Sequence, residues 1–345
     1  MTPSPSAEQD SSAGKNSGAG KNAGGDRGGD QDAGTSGSAP PSESLLTVLI
    51  ALAANAIIAV AKTLVAVITG SASMVAEAAH SWADTGNEVL LLIAERRGRK
   101  GRDDTHPQGY GREAYVWSMF AAFGLFTVGA VVSIQHGISE LGSTDPGEDY
   151  FWAYIVLALS FVLEGTSFIR SYQQSKKQAD RRRIGVFDQV LTGSDPTVRA
   201  VFAEDAAALI GIAFAFLGIL LHQLTGKAVF DAIGSILVGV LLGVVAVILI
   251  DRNRRFLVGE SVDKPARHHI LELLKGHPDI DRVTYLHAEF VGPGQLYIVA
   301  AVDIMGNQTE DHVAVRLRRI EAQLERNDHV TEAVLTLSAP AEVSL

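Results

Sequence analysis

Six separate stretches, residues 45–68, 72–94, 114–138, 151–169, 198–221 and 229–250, are mostly apolar over about 20 residues each, the length at which a helix crosses ~30 Å of hydrocarbon. Lipid offers no partner to a backbone N–H or C=O, so such segments must be helices that satisfy their own backbone. Their Ala and Gly content suits close helix packing, and Gly239 and Gly243 give one GxxxG spacing. The expected fold is an all-α six-helix transmembrane bundle over residues 44–255, flanked by a tail at 1–43 and a soluble domain at 256–345. The tail is rich in Gly, Ser, Ala and Asp without apolar periodicity, so it cannot offset the entropy of ordering and reads as disordered. It shows no signal peptide. Its acidic residues Glu8, Asp10, Asp26, Asp30 and Asp32 argue against a mitochondrial transit peptide, which leaves the first span as an uncleaved insertion signal.

After the sixth stretch the pattern turns soluble. A helical period runs through 263–276 and again through 309–326, while apolar residues alternate in 282–290, 295–304 and 332–338. Gly292-Pro293-Gly294 signals a hairpin or bulged turn, and Gly276-His277-Pro278 stops the preceding helix. The αββαβ order predicts a small two-layer α+β domain with helices on one face of a sheet.

The formal net charge of -10 hides a segregation by loop. Arg96, Arg97, Arg99, Lys100, Arg102 and Arg112 surround the connection between spans two and three. Lys176, Lys177, Arg181, Arg182 and Arg183 lie between four and five, and Arg252, Arg254 and Arg255 follow span six. The opposite connections are the Gly70-Ser71 turn, the acidic stretch 139–150 and a turn near Thr225-Gly226-Lys227. By the positive-inside rule both termini face the cytoplasm. The same rule explains the Arg clusters, so no nucleic-acid partner is expected. The chain has no Cys, which removes disulfides and thiolate metal sites and leaves nitrogen and oxygen as the only metal donors.

Within this apolar setting, span two carries AEAAHSWADTGNE. Residues three, four and seven apart share a helix face, so Glu77, His80, Asp84 and Glu88 form a polar stripe. Ionisable groups in hydrocarbon cost several kcal/mol, on the order of 2.5 to 3.5 each, and therefore face a partner, a cavity or a pathway. His80 and Asp84 can present an imidazole nitrogen and a carboxylate oxygen to one cation, at ~2.0 to 2.2 Å for zinc. The alternative is an interhelical hydrogen bond that holds the bundle together. Span five supplies a second acidic pair, Glu204-Asp205. Adjacent helical residues point about 100° apart, so one of the two faces the His80–Asp84 pair directly. Asp205 is placed first, with Glu204 as a rival that can complete the shell, bind through water or accept a proton. Four N and O donors suit Zn²⁺, with Co²⁺, Mn²⁺ and Fe²⁺ open, because raw affinity does not select the metal.

Glu164 in span four and Asn55 in span one serve as either packing groups or pathway groups. Asp231 reads as a helix cap or interface residue, and Lys62 either snorkels or pairs with a stripe acid. The histidines outside the membrane, His268, His269, His277, His287, His312 and His329, lack a compact ligand spacing. No HExxH or GxSxG motif supports a hydrolase, so the chain is not expected to be an enzyme.

Four motifs, GSASMVAEAAHSWADTGNE, THPQGYGRE at 105–113, SDPTVRAVFAEDAAALIGI at 194–212 and TGKAVFDAIGSILVGVLLG, together resemble the cation diffusion facilitator family, within it the zinc transporter nine branch. The resemblance covers nearly everything after the tail. It implies a homodimer of six-helix protomers with a ferredoxin-like cytoplasmic domain, moving a divalent metal out of the cytoplasm in exchange for protons. It also implies a membrane site drawn from spans two and five, which carries over to His80, Asp84 and Asp205. Many members place His or Asp one turn before the span-five aspartate, where this chain has Val201. Glu204 matches the acidic pair of the zinc-transporter-nine-like branch. Thr284, Ala300, Thr336 and Ser338 stand where some relatives carry cytoplasmic metal ligands, so no metal cluster is expected there.

The function expected is proton-coupled efflux of a divalent cation, zinc first, by alternating access. His80 is the expected coupling group, since metal needs the neutral ring, and Glu77, Glu88 and Glu164 are pathway or proton candidates. A non-transporting membrane subunit that partners another transporter is the alternative. The chain is expected to be a multi-pass protein of a bacterial-type cell membrane.

Overall fold

The computed structural model of the chain describes residues 45–142 and 150–345, with side chains from residue 52 onward. The tail expected at 1–43 and most of the acidic 139–150 connection fall outside the described residues. The helices are α1 (Leu45–Thr69), α2 (Ala72–Gly98), α3 (Glu113–Gly124), α4 (Val132–Glu140), α5 (Phe151–Arg182), α6 (Val186–Thr192), α7 (Pro196–Thr225) and α8 (Val229–Val258). Beyond them come α9 (Lys264–Lys275), β1 (Ile280–Gly292), β2 (Gln295–Ile304), α10 (Glu310–Leu324) and β3 (Val330–Leu337).

Five helical segments, Leu52–Thr69, Glu113–Glu140, Phe151–Arg182, Pro196–Thr225 and Val229–Val258, are long and apolar enough to cross a membrane by length and composition. The remaining long helix, α2, spans 27 residues but carries the polar stripe, which takes it out of the apolar class. It packs against α1, α3, α4, α7 and α8. Large apolar side chains such as Ile57, Leu64 and Val67 on α1, Phe161 and Val162 on α5 and Val244 and Val247 on α8 are exposed, whereas Lys62, Glu77, His80, Arg199 and Asn253 are buried. This inversion of the water-soluble pattern is what lipid demands, because apolar groups can face hydrocarbon and polar groups must find partners inside.

The turns follow local chemistry. Gly70 takes φ +62°, and the Ser71 hydroxyl then caps α2 by accepting from the Met74 N–H. Asp195 caps α7, accepting from the N–H groups of Thr197 and Val198, with Pro196 at the first helical position where its missing N–H costs nothing. Asp231 is an interface residue, accepting from the Ser73 N–H across to α2.

The third apolar stretch is not a uniform α-helix. Residues Leu125–Val131 widen into a π-helical segment between α3 and α4. The Ser133 hydroxyl donates to the Gly129 carbonyl there, and Gly129 lies against Leu242 of α8. A π turn lets a helix re-aim one half without breaking, and both halves stay packed on α8. Contact with α8 is closest where side chains are missing. A Cβ on Gly239 would fall 2.8 Å from the Ala130 carbonyl oxygen, and one on Gly137 would fall 2.8 Å from that of Ala232. Gly243, the other half of the GxxxG spacing, has only an ordinary contact of 3.7 Å with the Ala130 Cβ.

The C-terminal segment forms one three-stranded sheet, order β1-β2-β3, with β1 and β2 antiparallel and β2 and β3 parallel. The parallel step needs a crossover, which α10 supplies. Ile298, Ala300, Val302 and Ile304 alternate inward from β2 and share one core with Leu274 of α9 and Ile320 of α10. The helices therefore cover one face, as the αββαβ pattern predicts.

Gly239→Ala is expected to lower the thermal unfolding midpoint of the detergent-purified protein, at a cost of about 1–3 kcal/mol for overpacking a backbone contact. Gly243→Ala, with room for a methyl, is expected to leave the midpoint nearly unchanged.

Candidate functional site

The site is built on α2. Its small residues Ala76, Ala78, Ala79 and Ala83 are buried, which lets the helix sit deep among its neighbours and carries the intervening polar groups inward. His80 Nε2 lies 3.4 Å from Asp84 Oδ2, but neither imidazole nitrogen makes a hydrogen bond. Asp84 Oδ1, Glu77 Oε1, Ser81 Oγ, Asn87 Oδ1 and Glu88 Oε2 likewise lack partners, so α2 holds seven of the eleven unpartnered buried side-chain polar atoms among the described residues. Each such atom costs on the order of 1–3 kcal/mol of lost hydration. Their concentration on three turns of one helix marks a place where the fold withholds its own hydrogen-bond partners.

Neighbouring helices supply the remaining polar groups. Lys62 of α1 places its Nζ 2.9 Å from Glu77 Oε2, and both side chains are fully buried. Of the two alternatives for this lysine, pairing with a stripe acid is the one found. Asn55 of α1 donates to Glu88 Oε1 at 2.9 Å. From α7, the adjacent acids point differently, as helical geometry requires. Glu204 accepts from Asn87 Nδ2 of α2, whereas Asp205 faces α5, accepting from the hydroxyls of Ser167 at 3.0 Å and Ser171 at 3.0 Å. Asp84 is within electrostatic reach of Glu204, Glu164, Lys62 and Asp205.

The structure thus brings His80 and Asp84 together, with Glu204 linked to α2 through Asn87. Asp205 is tied to the α5 serines instead. Among the described residues no group of three or more His, Asp or Glu side chains is gathered closely enough to hold a metal ion. Three participants were not singled out from the sequence. Asn87 falls three residues after Asp84 and seven after His80, on the stripe itself, so spacing alone points to it. Ser167 and Ser171 continue the face of Glu164 at intervals of three and four, a weaker signal because serine is common in packed membrane helices.

At the basic end of the bundle, a second polar cluster links the helices to the sheet domain. Arg199 is buried, donating to the Gly193 carbonyl and to Asn253 Oδ1 at 2.9 and 2.8 Å, and Asn253 donates on to Ser118. Tyr115 stacks on Phe256 and donates to the Ser194 carbonyl, while the Ser194 hydroxyl accepts from the Gly294 N–H of the β1–β2 turn. The THPQGYGRE loop meets the same strand. A Cβ on Gly111 would fall 2.6 Å from the Val291 carbonyl oxygen, and Arg112 pairs with Glu289 at 3.0 Å.

That loop is organised by Asp103. Its carboxylate accepts from the Thr105 N–H and hydroxyl and the His106 N–H on one oxygen, and from Lys100 and the Tyr110 hydroxyl on the other. The hydrogen bonds from Thr105, Tyr110 and Lys100 hold the Asp103 carboxyl well below the usual carboxylate range, although the group is exposed. The hydrogen bonds that Lys100 donates to the Tyr110 hydroxyl and to Asp103 push its own ammonium up.

A polar stripe sealed inside apolar helices, with several of those helices long enough to cross a bilayer, is the arrangement of a multi-pass membrane protein. The family model of the cation efflux transmembrane domain matches residues 48–258. The chain belongs to this family, the cation diffusion facilitators. Metal tolerance protein C4 of Arabidopsis thaliana is 35% identical over 248 residues, covering 72% of this chain and 54% of its own. The mitochondrial proton-coupled zinc antiporter SLC30A9 of Xenopus laevis is 34% identical over 259 residues, 75% of this chain and 46% of its own. The uncharacterized transporter MJ0449 of Methanocaldococcus jannaschii is 24% identical over 285 residues, 78% of this chain and 91% of its own. The chain therefore spans about half the length of the first two.

Because the Asp103 pKa is depressed in the folded loop, its contribution is present above the unfolded value of about 3.9 and is lost as pH falls through the folded value. Amide exchange protection at Thr105 and His106 is expected to stay constant from about pH 8 to pH 5 and to decline only in stronger acid, below about pH 4. Asp103→Asn is expected to lose that protection at every pH.

Proposed function

We propose that this protein carries a divalent metal cation, zinc foremost, across its membrane in exchange for protons. The observation that carries the reading is the run of unpartnered buried donors and acceptors from Glu77 to Glu88 on α2. A folded helix leaves such atoms unmatched where a ligand completes them, and the set is imidazole and carboxylate, the chemistry of a hard or borderline cation. Family membership and the zinc antiporter among the relatives support the choice of cargo.

In this reading α2 crosses the bilayer as the sixth span. His80 and Asp84 hold the ion with Asp205, and Glu204 is the fourth donor or a proton acceptor. Co²⁺, Mn²⁺ and Fe²⁺ compete for the same donors. Loading requires Asp205 to leave Ser167 and Ser171, so those hydroxyls hold α7 against α5 in the state described. Alternating access then amounts to α7 rocking between α5 and α2. Glu77, Glu88 and Glu164 are the groups available to move protons. The protomer works as a homodimer, with a ferredoxin-like domain and both termini on the cytoplasmic side of a bacterial-type cell membrane. The basic connections after α2, α5 and α8 support that orientation.

A second reading, a non-transporting partner of another carrier, is favoured by one observation, the lack of any gathered three-ligand group among the described residues. Purified protein reconstituted alone into liposomes separates the two. An imposed pH gradient is expected to drive zinc flux, and Asp84→Ala and Asp205→Ala are each expected to reduce it to the leak of protein-free vesicles while eluting as folded protein. Absence of flux from the unmodified chain would favour the partner reading. Flux retained by either variant would remove that residue from the site.

A further inference from the structure

Lys62 is out of place by any packing argument. It is a fully buried ammonium in the middle of an apolar helix, and its Nζ reaches Glu77 rather than the membrane surface. Taking such a pair out of water costs several kcal/mol per ion, and well-packed apolar side chains of similar volume are often as stable or more so. A helix contact between α1 and α2 therefore does not by itself call for a lysine. Three groups besides Glu77 lie within electrostatic range of it. Asp84 and His80 lie on α2 and Glu164 lies on α5, the two helices that pack against α1. Its partner is only half used. Glu77 gives one oxygen to Lys62, while the other is buried, makes no hydrogen bond and lies against α7 at Gly211, where a Cβ would meet it at 2.9 Å. Glu77 thus stands between the lysine and the helix that carries Glu204 and Asp205.

Resting on the transport reading above, we infer that Lys62 is a tethered internal cation that competes with the divalent cargo for the acids of α2 and α5, and so sets the affinity of the site. The acidic groups are Glu77, Asp84 and Glu164, and an ammonium among them supplies positive charge without any ion from solution. A divalent ion arriving between His80 and Asp84 meets that charge as repulsion, which weakens its binding and favours its release on the far side. Without the lysine, the same carboxylates would hold the ion more tightly than a carrier that must let go requires. The flexible four-carbon stem suits the role. An ammonium with three rotatable donors can trade Glu77 for Asp84 or Glu164 when charge is redistributed, whereas a planar guanidinium is fixed to one geometry.

The test is Zn²⁺ affinity of the full chain in detergent, by competition with a fluorescent chelator. Lys62→Gln is expected to bind Zn²⁺ about tenfold tighter or more, the scale expected when a unit charge is removed from a partly screened interior, while Lys62→Arg stays near the unmodified affinity. Because Lys62→Gln leaves Glu77 buried and unpaired, the comparison is repeated in a background with no pair to break. Lys62→Gln added to Glu77→Gln is expected to tighten binding about tenfold relative to Glu77→Gln alone. A lysine that only clamps α1 to α2 would shift the unfolding midpoint and leave these affinities unchanged. Unchanged or weaker affinity on removing the lysine in the Glu77→Gln background overturns the inference while leaving the transport reading in place. If the unmodified chain binds no Zn²⁺, the transport reading itself fails and the inference falls with it.

Discussion

Everything in this fold depends on how one helix is kept out of lipid. The α2 stripe of Glu77, His80, Asp84, Asn87 and Glu88 cannot face hydrocarbon, so α1, α3, α4, α7 and α8 close around it. That demand fixes the composition of its neighbours. Small residues appear where helices must approach, as at Gly211 against Glu77 and Gly239 against Ala130. Polar side chains appear where a stripe atom needs a partner, as at Asn55, Lys62 and Glu204. With no hydrophobic driving force between helices in lipid, such packing and hydrogen bonds are what holds the bundle together.

The same enclosure leaves the centre under-satisfied. A helix interior in which both nitrogens of a buried histidine and an oxygen of each of three neighbouring acids lack partners is expensive, and stability alone would remove it. In the transport reading proposed above, a cation completes those atoms during the working cycle. Asp205 is satisfied by two serines of α5 and Glu204 is tethered to α2 through Asn87, so α7 divides its acids between two neighbouring helices; in that reading this arrangement is one stage of the cycle. Adjacent residues on a helix cannot face the same way, so an acidic pair lets α7 meet α2 and α5 at once.

At the basic end of the bundle, the sheet domain is joined to these same helices. Ser194 and Arg199 flank the start of α7, Tyr115 lies on α3, and Phe256 and Asn253 lie on α8; together they meet the β1–β2 turn through Gly294 and Phe290. Gly111 of GYGR and Gly292 of GPG are needed because the two touch backbone to backbone.

The sequence by itself determined the elements. Six helical stretches, the αββαβ order of the C-terminal domain, the polar face of α2 and the acidic pair of α7 all follow from periodicity, turn residues and the cost of charge in hydrocarbon, which act within a few residues along the chain. It could not decide partners across helices. Lys62 could have snorkelled or paired, Asp205 and Glu204 were interchangeable to within 100° of helix rotation, and the serines of α5 gave no sign of which acid they would hold. Nor did it show the π turn at Leu125–Val131 or the short α6, since both depend on how neighbouring helices fit. Those choices belong to the tertiary structure because they turn on helix rotation and depth, and rotation and depth are set by packing all the faces of the bundle at once.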